Sequence, residues 1–140
     1  NQLLVGVNGH FDKKSRNDLA LGIHEMVLNA VEHGNLGITS EAKSKALENQ
    51  TFTQIVEERM ETAELAEREV TIQYSFDGSR VRYHIVDEGA GFDWTRFLER
   101  DEPEDLLASN GRGILISRYI FDRIEYNEVG NVVTLEKRIR

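Results

Sequence analysis

The sequence predicts an α/β (α+β) two-layer sandwich, with helices packed on one face of a mixed, mostly antiparallel sheet. Three observations support this fold class: a helical apolar period at 16–34, alternating apolar and polar residues at 70–85, and a final hairpin predicted at 123–138 around Gly130-Asn131. At 140 residues the chain fits one domain, and no internal repeat divides it.

The first long helix is predicted over residues 16–34. Apolar residues recur there at intervals of three and four positions, and Gly34 with Asn35 supplies a stop signal. The apolar positions are Leu19, Ile23, Met26, Val27 and Ala30. A later helix is predicted from Gly113 to about Ile124.

Segment 36–69 is charged, and its pattern is helical. Residues 39–68 are rich in Glu, Lys, Arg and Ala, with apolar residues at helical spacing, which predicts one or two amphipathic helices. Two interpretations stay open: a helix that binds a partner, or a solvated helix packed on its own domain.

The strands are predicted from alternation. Residues 70–76 and 81–85 alternate around the turn Asp77-Gly78-Ser79, which predicts a hairpin. The remaining predicted strands are 3–7, 123–128 and 132–138, the last two forming a hairpin. Residues 92–110 contain the only proline and predict a loop.

The composition limits the classes of function. The net charge of -8, from 25 acidic and 17 basic residues, argues against a nucleic-acid surface, which needs clustered Lys and Arg. No apolar run approaches the roughly 20 residues of a membrane helix, and no signal peptide is visible. The lack of cysteine excludes disulfides and fits a reducing compartment, so we expect a cytoplasmic protein. The first residue is Asn1 rather than Met, as in a domain excised from a longer chain.

One stripe of the first helix carries polar residues suited to chemistry. At 100° per residue, Glu25, Asn29 and Glu32 fall within about 60° of one another. The stripe is either the solvated side of an amphipathic helix or a functional face. Asn29 favours the second interpretation, because asparagine is a poor choice in the middle of a helix.

Asp87 continues the inward face of the predicted strand 81–85. A carboxylate in that position must be hydrogen-bonded, since its burial is otherwise costly. Gly89 and Gly91 remove side chains beside it, so a flat ligand or another backbone segment can approach. This arrangement suits an exocyclic amine such as that of adenine; the alternative is an ordinary turn leaving a strand.

A glycine-rich stretch, Asn110-Gly111-Arg112-Gly113, leads into the later helix. Glycines before a helix N-terminus leave N–H groups free, and with the helix dipole these favour an anion. Arg112 adds a local cation. The alternative is a flexible loop before an ordinary helix.

The order and spacing of these three segments resemble a known family. Residues 25–35 (Glu-Met-Val-Leu-Asn-Ala-Val-Glu-His-Gly-Asn) resemble an N-box, residues 87–92 (Asp-Glu-Gly-Ala-Gly-Phe) a G1 box, and residues 111–116 (Gly-Arg-Gly-Ile-Leu-Ile) a G2 box. Together they resemble the GHKL (Bergerat-fold) ATPases, which have the histidine kinase-like ATPase fold. The similarity is greatest to the anti-sigma-factor serine/threonine kinases of bacterial partner-switching systems, and it runs from about residue 17 to the C-terminus.

The resemblance implies a ligand and a role for each candidate residue. It implies ATP and Mg²⁺, with Asn29 as the metal ligand and Asp87 as the acceptor for the adenine amino group. Glu25 would be the general base toward a Ser or Thr hydroxyl. The remaining implied nucleotide contacts are His33, Gly89, Gly91, Gly111, Arg112 and Gly113. Residues 92–110 would form the ATP lid of a single domain spanning 1–140, with the charged helical segment as an insert.

Glu25 also distinguishes branches of the family, since sensor histidine kinases usually have Asn there. The implied partners are an anti-sigma-factor-antagonist (STAS-like) domain, a sigma factor and, through the N-terminal end, a second copy of the chain. Two other functions stay open: a nucleotide-gated binding module that transfers no phosphate, and the catalytic domain of a sensor histidine kinase. Segment 36–69 is longer than in compact family members, and the helix that often precedes the N-box is not evident.

Overall fold

The computed structural model describes Leu4, residues 9–95 and residues 112–139. The predicted strand at 3–7 (apart from Leu4), Gly111 and most of the predicted lid lie outside the described residues, as does the side chain of Arg112.

The secondary structure alternates between helical and extended regions, as the sequence predicts. The α-helices are α1 (Lys13–Asn29), α2 (Ser40–Glu48), α3 (Phe52–Met60), α4 (Ala63–Ala66) and α5 (Arg112–Ile120), and α1 continues into a π-helical segment, Ala30–Asn35. The strands are β1 (Thr71–Phe76), β2 (Arg80–Val86), β3 (Arg123–Tyr126) and β4 (Val132–Arg138). None of the helices in the described ranges is long and apolar enough to cross a membrane.

Two helix boundaries differ from prediction for identifiable reasons. The first helix begins earlier, because the Asp12 carboxylate accepts a 2.8 Å hydrogen bond from the Ser15 N–H and caps it. Helix α5 ends at Ile120 rather than near Ile124, because β3 begins at Arg123. Ile124 lies opposite Leu135 in the sheet, so this apolar residue belongs to the strand pattern.

Segment 36–69 forms three short helices rather than the one or two predicted. Thr39 caps α2 by accepting a 3.1 Å hydrogen bond from the Ala42 N–H. Gln50 has a positive φ of 58°, a conformation that ends a helix, so α2 cannot run on into α3. Another break at Thr62 separates α3 from α4.

The four strands form an antiparallel sheet in the order β1-β2-β4-β3. Strand β2 is central, with Tyr83 opposite Tyr74 of β1 and Leu135 of β4. Strands β3 and β4 form the predicted C-terminal hairpin. The observed sheet confirms the predicted α+β class, and every described strand pair is antiparallel.

The core lies between α1 and one face of the sheet. Fully or almost fully buried side chains from both layers meet there: Leu19, Ile23 and Met26 from α1, Val81, Tyr83 and Ile85 from β2, and Leu135 from β4. Helix α5 packs beside α1, where Gly22 leaves room for the Phe121 ring. On the other sheet face, Glu136 pairs with Arg82 and Arg123 of the neighbouring strands, so that face is polar. The two-layer arrangement holds the end of α1, the end of β2 and the start of α5 together.

Candidate functional site

A cavity of about 600 Å³ opens between the second half of α1, segment 36–69 and the start of α5. Its volume lies within the range of small-molecule pockets, roughly 300–1,000 Å³. It is lined by the predicted site residues Glu25, Asn29, His33, Gly91 and Gly113. The structure therefore brings residues of all three sequence segments to one cavity.

The π-helical segment Ala30–Asn35 decides which side chains face the cavity. A π-helix turns less per residue than an α-helix, so the predicted 100° spacing fails after Asn29. His33 lines the cavity together with Asn29, whereas Glu32 pairs with Lys43 at 2.5 Å. Glu32 therefore leaves the polar stripe on which the sequence placed it.

Glu25 and Asn29 lie against the beginning of α5. A Cβ atom placed on Gly113 would be 3.1 Å from Oε2 of Glu25 and 3.2 Å from Nδ2 of Asn29. The first turn of α5 has backbone N–H groups without helical partners and the positive end of the helix dipole. A carboxylate, an amide and a helix N-terminus thus meet at one end of the cavity, where an anionic group would be stabilised by the helix.

Asp87 is 8% exposed and lies just beyond the end of β2. Its Oδ1 accepts a 2.8 Å hydrogen bond from the Gly89 N–H, and its own N–H donates to the Asn131 carbonyl at 3.0 Å. Burial raises the pKa of the Asp87 carboxyl, while the Gly89 N–H and Arg68 act in the opposite direction. The predicted inward orientation is confirmed.

Asp87 lines a second, small cavity rather than the large one. This space has a volume of about 20 Å³, enough for roughly one water molecule. The two cavities share Asn29, Gly34 and Phe92 as walls. Asp87 is therefore next to the large cavity, behind the backbone of Gly34.

Gly89 and Gly91 allow backbone segments to approach each other. A Cβ atom on Gly89 would lie 2.6 Å from the carbonyl carbon of Gly34, and one on Gly91 would lie 2.5 Å from the carbonyl carbon of Val129. Gly91 also has a positive φ of 87°. Of the two sequence interpretations, the structure shows the close approach of another backbone; admission of a ligand ring by these glycines stays a prediction.

The first residues of the predicted lid are attached to the β3–β4 turn. The Phe92 N–H donates to the Val129 carbonyl at 2.9 Å, and the Trp94 ring stacks on Tyr126 with ring centroids 5.9 Å apart. The Asn131 side chain donates to the Gly89 carbonyl at 3.2 Å. These contacts hold the start of the predicted lid against the C-terminal hairpin, and residues 90–93 line the large cavity.

His33 is held in one tautomer. Its Nδ1 lies 2.5 Å from the carbonyl oxygen of Ile38, which can only accept, so Nδ1 carries the proton. Burial lowers the pKa of His33. The ring is therefore held neutral, with Nε2 as an acceptor.

Lys43 and Arg68 line the cavity although the sequence singles out neither. Both come from segment 36–69, where they are two cations among many charged residues, so no local pattern distinguishes them. No group of three or more His, Cys, Asp or Glu side chains suited to a metal occurs within the described ranges.

The fold and the site together define the class of protein. A two-layer α+β domain with a large cavity, a polar helix face and a helix N-terminus on its wall is a ligand-binding domain suited to an anionic small molecule. The family model of the histidine kinase-like ATPase domain matches residues 5–137, and the chain belongs to this family. Searches of curated proteins and of solved structures each found no match. Membership implies ATP binding and supports the GHKL resemblance, while the anti-sigma-factor branch stays a prediction.

Gly34→Ala is expected to weaken ATP binding about tenfold or more, equivalent to about 1.4 kcal/mol. The added Cβ would lie 2.5 Å from Oδ2 and 2.6 Å from Oδ1 of Asp87, so the carboxylate must move. Calorimetric titration with ATP measures the loss. Gly9→Ala is the matched control, because a Cβ there meets nothing within 4 Å. Wild-type affinity in Gly34→Ala would contradict the placement of Asp87 in the site.

Proposed function

We propose that the chain is an ATP-dependent protein serine/threonine kinase of the anti-sigma-factor type. The observation that carries this proposal is the position of Glu25, one helical turn before Asn29 and beside Gly113 at the N-terminus of α5. That helix end favours phosphate, and a carboxylate beside a bound phosphate can accept a proton from an attacking hydroxyl.

The site residues divide into groups that suit the parts of ATP. Asp87 has a carboxylate suited to the adenine amino group, and its placement beside Asn29 and Gly34 supports that role. The backbone of Gly113 suits the phosphates, together with Gly111 and Arg112, whose contacts are predicted from the sequence alone. His33 lines the same large cavity as Gly113.

Asn29 is the residue that would hold Mg²⁺. Its side chain supplies one amide oxygen, a ligand that suits Mg²⁺ when phosphate oxygens and water complete the coordination. When bound, the ion supplies positive charge that stabilises the phosphates. The chain itself has a net charge of -8 and so offers little positive charge for them.

The reaction proposed is phosphoryl transfer to a Ser or Thr hydroxyl. The hydroxyl oxygen forms a bond to the γ-phosphorus while the bond from that phosphorus to the β,γ-bridging oxygen breaks. ADP leaves with the electron pair, and Glu25 takes the hydroxyl proton. Positioning and charge stabilisation do most of the work in such transfers, so one correctly placed carboxylate is sufficient as the base.

The partner proposed is a small anti-sigma-factor-antagonist domain of the STAS-like kind, acting in a cytoplasmic partner-switching pathway. A sigma factor and a second copy of the chain are further proposed partners. The sequence resemblance supports these assignments, with Glu25 as the residue that favours the serine/threonine branch.

The function is tested by incubating the chain with Mg²⁺, radiolabelled ATP and its cognate antagonist domain. We expect label on one Ser or Thr of the antagonist, identified by mass spectrometry. Nucleotide-dependent binding of the antagonist with no label transferred would refute the kinase proposal and define a nucleotide-gated binding module. Label on a histidine would instead define a histidine kinase.

A further inference from the structure

Segment 36–69 forms one wall of the large cavity. Helix α2 contributes Lys43 and Leu47, the turn before it contributes Ile38 and Thr39, and the last residues of the segment contribute Arg68. The segment that the sequence treats as an insert therefore belongs to the site.

This wall is attached to the rest of the domain at both of its ends. Lys43 Nζ lies 2.5 Å from Oε1 of Glu32, and the two side chains are 20% and 12% exposed. Arg68 donates a 2.8 Å hydrogen bond to the Asn35 carbonyl, and the Asn35 side chain accepts from the Glu88 N–H at 2.7 Å. The wall is thus tied to the helix that carries Asn29 and, through Asn35, to the strand end that carries Asp87.

Among the described side chains that line the cavity, the positively charged ones lie on this wall. Among the described side chains that line the cavity, the carboxylates are Glu25, Glu41 and Asp93, while the cations are Lys43 and Arg68. Burial lowers the pKa of His33, which disfavours a positive charge on its ring. A polyanion entering this acidic chain would be repelled without local cations, and in the described part of the cavity segment 36–69 supplies them.

The ammonium of Lys43 has capacity for a ligand. Its three N–H donors exceed the single contact to Glu32. The ammonium also lies 5.1 Å from the ring centroid of Phe52, which restricts where the side chain can move. Glu32 and Phe52 therefore position the cation at the cavity wall and leave donors for another anion.

We propose that segment 36–69 is a nucleotide-binding element, in which Lys43 binds an anionic phosphate group of the nucleotide and Arg68 is a further cation on the same wall. The proposal rests on ATP binding at this cavity but not on phosphoryl transfer. It gives the insert a function within its own domain, in contrast to both sequence interpretations, a partner-binding helix or a passive solvated one.

The test is calorimetric titration of wild type and Lys43→Met with adenosine, ADP and ATP in the presence of Mg²⁺. Methionine keeps an unbranched apolar stem against Phe52 and removes the charge. Loss of a hydrogen bond between charged groups should lower ATP affinity about 10- to 100-fold. Adenosine affinity should change by less than about twofold, since adenosine has no phosphate.

Two control variants separate ligand binding from anchoring. Glu32→Gln removes the charge of the ion pair but keeps the ammonium and an amide oxygen that can accept from it, so it is expected to lower ATP affinity less than Lys43→Met does. Lys45→Met removes an exposed lysine of the same helix that does not line the cavity, and should have no effect. Thermal unfolding of each variant checks folding, and Lys43→Gln replaces Lys43→Met if that variant does not fold.

The outcomes distinguish this proposal from the kinase proposal. If Lys43→Met lowers the affinities for ATP and for adenosine equally, Lys43 has an anchoring role only and the proposal is overturned. The same conclusion follows if Glu32→Gln lowers ATP affinity as much as Lys43→Met does. Wild-type ATP affinity in Lys43→Met would overturn it too. If the wild type binds ATP, Lys43→Met lowers that affinity, and the wild type transfers no phosphate, this proposal is supported and only the kinase proposal is refuted. A wild-type chain that binds no ATP would overturn both.

Discussion

Glu25→Gln is expected to slow phosphoryl transfer about 100- to 10,000-fold, the range that a general base contributes. Glutamine has the shape of glutamate, so it can keep the position beside Asn29 and Gly113. It cannot accept a proton, so the attacking hydroxyl loses its base. ATP affinity should change by less than about threefold, because the role of Glu25 lies in the transition state.

Single-turnover transfer to the antagonist domain measures this effect, with ATP affinity determined separately by calorimetry. Glu41→Gln is the matched control, since Glu41 also lines the cavity but lies on α2, away from the start of α5. We expect it to transfer phosphate within about threefold of wild type. A Glu25→Gln variant that transfers at the wild-type rate would contradict the assignment of the base.

Asp87→Asn is expected to weaken ATP binding about 10- to 100-fold, as for loss of a hydrogen bond to a charged group. In the wild type, Oδ1 accepts from the Gly89 N–H and the second carboxylate oxygen remains for the ligand. Asparagine has a single carbonyl oxygen, which the Gly89 N–H would take. Its NH₂ group would then face the adenine amino group, donor against donor.

Calorimetry of Asp87→Asn measures this loss. Asp18→Asn is the control, because Asp18 pairs with the exposed Lys14 in the first half of α1 and does not line either cavity. Since burial raises the pKa of Asp87, we further expect the affinity of the wild type to fall as acid protonates this carboxyl, and Asp87→Asn to lack that dependence.

The sheet and the first helix could be predicted because their signals are local. Val81, Tyr83 and Ile85 alternate in the sequence and are buried side by side in β2, and the same alternation carried on to Asp87 predicts its burial. Residues of all three box segments also meet at one cavity, although Asp87 lines the smaller cavity beside it, and Gly111 and the side chain of Arg112 lie outside the described residues.

The geometry after Asn29 could not be predicted, because the π-helical segment depends on long-range packing. Gly34 of that segment lies so close to Asp87 and Gly89 that no side chain fits between them. These contacts join residues more than fifty positions apart in the sequence. A prediction from the regular α-helical period takes no account of such contacts. The helical period therefore predicts Glu32 on the same stripe as Asn29, whereas in the structure Glu32 pairs with Lys43.

The contribution of segment 36–69 to the site was not predictable for a similar reason. Its charged composition is compatible both with a solvated helix and with a cavity wall. Only the tertiary contacts of Lys43 and Arg68 distinguish the two arrangements. The break at Gln50 likewise has no clear local signal, since glycine or asparagine is the usual residue at a positive φ.

The central claim is that this domain binds ATP with Asp87 as the acceptor for the adenine amino group. The most direct test is a cycle of four affinities, for wild type and Asp87→Asn, each with ATP and with purine riboside triphosphate, which lacks that amino group. We predict that the wild type prefers ATP by about tenfold or more and that Asp87→Asn has no preference for ATP. An undiminished preference for ATP in Asp87→Asn, or equal affinities for both ligands in the wild type, would contradict the claim.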